Sequence, residues 1–127
     1  MPSVSTVDPG SVSGVIEKVV QLHASEAAFL WAMRDSVVGA QHYSLRSVAR
    51  LDERLEAHLD GLRIAGEPGW EICKGALTLD GSGAVFAAGV LAFESGREEW
   101  ITAVLEVATI SPKLARGLVS ALGWIPY

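Results

Sequence analysis

RLDERLEAHLDGLRIAG, residues 50–66, decides how this chain is read. At about 100° per residue, Leu51, Leu55, Leu59 and Leu62 fall on one side of a helix, and Leu45 and Val48 extend the stripe upstream. Ser44 is a suitable cap for its start, and Gly66 supplies a left-handed stop. The charges on the rest of the circumference are sorted by sign. Asp52, Glu53, Glu56 and Asp60 occupy one flank, while Arg46, Arg50 and Arg54 line the other. Asp52, Glu56 and Asp60 follow at i, i+4 and i+8, a spacing at which like charges each cost a few tenths of a kcal/mol. A helix selected only for solubility more usually mixes its signs. Two readings are open: each flank faces opposite charge within the fold, such as Lys18, Arg34 or Arg63, or the acidic flank is a docking rim for a basic partner.

Working outward, residues from about Val12 to Val38 place Val12, Ile16, Val19, His23, Ala27, Leu30 and Arg34 at helical spacing, with Asp8-Pro9 or Ser11/Ser13 as possible caps. EAAFLWAMRD is apolar around most of its circumference, as expected of a helix buried on more than one side. A loop over Gly39–Tyr43 separates it from the charged helix. Pro68 opens a third helix with Trp70, Cys73, Ala76 and Leu77 on its apolar face. Asp80-Gly-Ser-Gly reads as a turn before a fourth helix carrying Val85, Phe86, Gly89, Val90 and Phe93, closed by Gly96. Ser95-Gly-Arg-Glu98 reads as a capping box for a fifth helix with Trp100, Ile101, Val104, Leu105 and Ala108. Ser111-Pro112 starts a sixth, with Leu114, Leu118, Val119 and Leu122, ending at Gly123. No window alternates with period two between hairpin turns. The expected fold is all-α with about six helices: a loose arm over residues 1–11 and one helical domain over 12–127. Trp70 and Trp100, about 30 residues apart, each open a short helix followed by a turn and a glycine-containing helix, with Gly89 and Gly117 in matching places. That faint repeat suggests helical hairpins stacked in the manner of an α-solenoid.

The chain's 127 residues suffice for one domain with a real core. With 50% hydrophobic and 20% charged residues, it is not globally disordered. A net charge of −5 repels phosphate backbones, so nucleic acid is not the expected partner, whereas a basic protein is. The longest purely apolar run, Ala27–Met33, falls well short of the roughly 20 residues a membrane helix needs. The N-terminal segment lacks the basic and apolar regions of a signal peptide, and the one cysteine cannot form an intramolecular disulfide. The expected location is the cytoplasm.

Few residues carry a chemical signature. His23, His42 and His58 are too scattered for a local metal motif, and no carboxylate or imidazole shares the helix face of His58 at ligand spacing. His58 is expected at the edge of the core beside Leu51 and Leu62, and His23 as a hydrogen-bonded core histidine. The Asp80-Gly-Ser-Gly segment has neither the spacing of a nucleophile elbow nor the third glycine of a dinucleotide fingerprint. Cys73, on an apolar face beside Trp70 and Leu77, is expected to be an inert thiol. The expectation is a non-enzyme with no metal and no cofactor.

Four tryptophans are many for this length, and Trp31, Trp70 and Trp100 read as core residues. Trp124 differs, lying beyond Gly123 in an apolar ending, Trp124-Ile125-Pro126-Tyr127. A helical stack normally closes on a polar face, so this ending suggests a contact with a second copy or another protein. The candidate partner-binding residues are therefore Asp52, Glu53, Glu56, Asp60, Trp124 and Tyr127.

EAAFLWAMRD, RLDERLEAHLDGLRIAG followed by Gly69-Trp70, and ALGWIP resemble the N-terminal region of an uncharacterised proteobacterial family of HEAT-repeat-like proteins. The resemblance runs from about Val15 to Pro126, with LDERLEAHLDGL its most specific part. It implies a helical-repeat binding scaffold with no catalytic residues to carry over; members of the family are usually longer, which leaves open whether this chain is a natural short form or a fragment. Similar proteins occur near type VI secretion effector genes, which implies an adaptor or an immunity protein that binds a basic toxin, its carboxylates standing in for phosphates. The alternatives are a dimerisation or capping module of a larger scaffold, and an enzyme using His58 or Cys73 in an open pocket.

Overall fold

The computed structural model describes residues 9–37, 44–79 and 81–126. Among them run six helices and no strand: α1 (Pro9–Val37), α2 (Leu45–Ala65), α3 (Glu67–Ala76), α4 (Gly81–Ser95), α5 (Glu98–Ala108) and α6 (Pro112–Trp124). The fold is all-α, with the helices packed directly on one another. The proposed Asp8 cap, the loop over 39–43, the side chain of Val12, and His42, Asp80 and Tyr127 lie outside the described residues.

α4 is the hub. Every residue from Ser82 to Ala92 is buried, and the helix carries no charge before Glu94. Such a helix has no wet face and must be enclosed on all sides. α1, α3, α5 and α6 do most of this, with a smaller contribution from α2. α4 and α6 form the most extensive pair, and glycines explain the close approach. A Cβ on Gly117 would lie 2.2 Å from the Ser82 carbonyl oxygen, and one on Gly89 would lie 2.9 Å from the Ala121 Cβ. The two glycines of the faint repeat thus sit on one helix crossing. Its two tryptophans also meet, Trp70 and Trp100 stacking with centroids 4.7 Å apart and planes 8° from parallel.

Local signals set most boundaries. The Ser44 hydroxyl accepts from the Ser47 amide at 3.2 Å, and the Ser111 hydroxyl accepts from the Leu114 amide at 3.2 Å, with Pro112 in the first turn. Gly66 and Gly96 adopt φ of 68° and 71°, ending α2 and α4 where a Cβ would be strained.

Five local expectations need correction. Residues 9–11 belong to α1 and not to a loose arm. The buried face of α1 comprises Val20, Ala24, Ala27, Leu30 and Trp31, while Ile16 and Val19 are exposed; the core selects a face rotated from the one read off a segment apolar on several sides. At the start of α2, Leu45 is 89% exposed, so its apolar stripe is buried only from Leu55 onward. Gly81, Ser82 and Gly83 are the first turn of α4 and not a turn between helices. Gly83 lets that turn lie against the Ala28 carbonyl of α1, where a Cβ would come within 2.4 Å. The capping box at Ser95 does not form. Ser95 is the last residue of α4, its hydroxyl donating back to the Ala92 carbonyl at 2.8 Å, and α5 starts at Glu98, with Arg97 in the cap position making no side-chain capping bond.

Candidate functional site

Leu55, Leu59 and Leu62 bury the inner face of α2 completely. With those three fixed inward, helical geometry turns the acidic flank toward the C-terminal end of α6. Asp52, Glu53, Glu56, Ala57 and Asp60 line a shallow depression of about 530 Å³ together with Trp124. Five of the six residues read from the sequence as partner-binding are therefore brought together; the sixth, Tyr127, is outside the described residues.

Trp124 is not a free apolar end. Its ring meets Phe86 of the hub helix edge-on, with centroids 5.5 Å apart, and Phe86 in turn stacks on Trp31. The indole N–H donates to Oε1 of Glu56 at 2.8 Å, and the Arg34 guanidinium lies 5.7 Å from the ring centroid. The wall of the depression is thus held by both core packing and charge. A Trp positioned this way offers a rigid, amphipathic contact surface.

The carboxylates are partly paired within the fold, by two of the arginines considered from the sequence. Arg34 of α1 pairs with Asp52. Arg63, one turn beyond Asp60 on the same helix, pairs with Glu56, reaches Asp60 Oδ1 at 2.7 Å, and binds both oxygens of Glu94 on α4 at 2.8 and 3.0 Å. Burial alone would lower the pKa of Arg63. Hydrogen bonds to Glu94, Glu56 and Asp60 outweigh that cost and hold it above its ordinary value. Glu53 is exposed and makes no ion pair among the described residues. Two guanidiniums against Asp52, Glu53, Glu56, Asp60 and Glu94 leave the edge formally negative. Internal pairing therefore reduces the charge of the flank without cancelling it.

The basic flank is less engaged. Arg46, Arg50 and Arg54 are exposed and make no ion pair among the described residues. The remaining ion pairs join other helices: Arg97 to Glu67 at 2.7 Å, and Arg116 to Asp35 at 3.0 Å.

The groups considered for chemistry do not line the depression. Cys73 is buried under α3, and burial pushes its thiol up to about 12, so it stays protonated and unreactive at neutral pH. His23 and His58, 35 residues apart, meet across α1 and α2 with their Nδ1 atoms 3.0 Å apart, a contact sequence spacing does not reveal. Among the described residues there is no group of three or more potential metal ligands. A second cleft of about 490 Å³ lies between α1, α4 and α6, over Ala28, Phe29, Ala32 and Ser82. Its polar groups serve packing: Ser82 donates to the Lys113 carbonyl at 2.8 Å, and Asp35 is held by Arg116. Among the described residues, no helix is long and apolar enough to cross a membrane.

No protein-family model, curated protein or solved structure matches this chain.

Proposed function

We propose that this chain is a non-catalytic protein-binding module that receives a basic partner on the outer edge of α2. The observation that carries this reading is the depression walled by Trp124 and lined by Asp52, Glu53, Glu56 and Asp60. It combines a rigid aromatic anchor with a net negative rim, the pairing of features found where proteins meet. Arg34 and Arg63 add to the argument by fixing three of the carboxylates in place, which lowers the entropy lost when a cation docks. In its most specific form, the partner is a basic toxin and the chain its inhibitor, the carboxylates occupying cationic positions that otherwise grip phosphate.

Capture from a lysate of the source cell, repeated at low and high salt, tests the reading. A basic protein should be retained at low salt, released at high salt, and should bind the purified chain directly. Retention that is indifferent to salt, or capture dominated by acidic proteins, contradicts it.

A second reading is a self-associating structural module. Val119 is 67% and Leu122 44% exposed, one turn apart on the outer side of α6. If they form a contact between copies, light scattering at high micromolar concentration reads a dimer that Val119→Asp returns to monomer; a monomer throughout removes this reading.

A further inference from the structure

α1 and α2 are joined near one end by two imidazoles and at the other by an ion pair. Nδ1 of His23 lies 3.0 Å from Nδ1 of His58, with ring centroids 5.2 Å apart and planes tilted by 55°. That separation is a hydrogen bond between ring nitrogens, in which one Nδ1 donates and the other offers its lone pair. The arrangement accepts a single positive charge at most. A second proton would set N–H against N–H and cation against cation.

His23 packs against the α2 backbone at Gly61. A Cβ placed on Gly61 of α2 would sit 2.5 Å from its Cδ2 and 2.6 Å from its Nε2, so the ring lies directly on that glycine. Eleven residues further along α1, Arg34 grips Asp52 of α2. The charged groups facing the pair are Glu26 from α1 and Arg54 from α2, which act in opposite senses.

We propose that the His23–His58 contact is a proton-sensitive joint, which separates under mild acidification and loosens α1 from α2 at that end while Arg34–Asp52 keeps the other end closed. The His58 pKa is lowered from 6.5, first by burial, then by His23 and Arg54, with Glu26 opposing. An imidazole depressed in the folded state takes up protons more readily when unfolded. Its stabilising contribution is therefore complete above pH 6.5 and declines as pH falls below that value.

The test compares thermal midpoints of the full chain and His58→Asn between about pH 7.5 and pH 5.5. Asparagine places an amide where Nδ1 stood, keeping a neutral hydrogen-bond partner for His23. The midpoint of the parent protein should fall by at least about 3 °C more than that of His58→Asn over this range. Equal slopes overturn the joint. Nitrogen NMR of the parent protein's histidines gives a second reading that needs no variant. It should show His58 titrating below 6.5 and the coupling between the rings lost as it does; two rings titrating independently near 6.5 overturn the proposal even if His58→Asn does not fold.

Discussion

The α4–α6 crossing and the α1–α2 interface hold the molecule together by different means. Where α4 meets α6, contact is a matter of shape: Gly117 against the Ser82 carbonyl, Gly89 against Ala121, and no charged side chain on α4 between Ser82 and Phe93. Where α1 meets α2, leucines form the inner seam, and polar pairs line the edges, namely Arg34 with Asp52 and His23 with His58. An interface set by shape cannot absorb one added methyl group but is indifferent to salt and to mild pH change. An interface edged by charge tolerates substitution and responds to both. The proposed recognition edge lies on the second kind of element, where an exposed carboxylate such as Glu53 tolerates substitution.

The strongest way to break this comparison is to add a methyl at the crossing. Gly117→Ala should cost about 3 kcal/mol in urea unfolding, because the obstacle is backbone and cannot rotate away. A cost below about 1 kcal/mol would mean that the helices separate easily and the crossing is not set by shape. On the charged side, Glu56→Ala removes the Arg63 pair and the acceptor of the Trp124 N–H together. Because the group is partly exposed, the expected loss is about 1 kcal/mol, smaller in high salt. A loss as large as that at Gly117 would make the acidic edge part of the fold's foundation. The smallest effect has the opposite sign. Gly75, in α3, has nothing within 4 Å of a Cβ and no positive φ, so Gly75→Ala should stabilise by about 0.5–1 kcal/mol through helix propensity. Destabilisation there would show that glycine sensitivity is general and not confined to the crossings.

What the sequence revealed depended on how local each cause was. Ser44, Gly66, Ser111 and Gly96 act within a turn or two of their own positions, so the helix boundaries they set could be read directly. The leucines of α2 could be read because charges surround them. α1 offered no such contrast, since EAAFLWAMRD is apolar on several sides, and the buried face was decided by α2 and α4 instead. Gly81-Ser-Gly looked like a turn because glycine usually serves turns; here Gly83 serves a contact with Ala28 that only the fold creates. The site divides in the same way. The carboxylates shared a helix face and were legible as a group. Glu94 joining them through Arg63, Trp124 folding over Phe86, and the meeting of His23 with His58 all depend on partners 31 or more residues away.

Glu53 gives the most direct test of the central claim, that the outer edge of α2 serves recognition and is dispensable for folding. It lies in the depression, exposed and without an ion pair among the described residues. Glu53→Lys should therefore leave the thermal midpoint within about 2 °C of the parent protein, since exposed charge changes of this kind rarely exceed about 0.5 kcal/mol. The same variant should lose most of the salt-sensitive capture of a basic partner. Undiminished capture, or a midpoint that falls with it, would contradict the account.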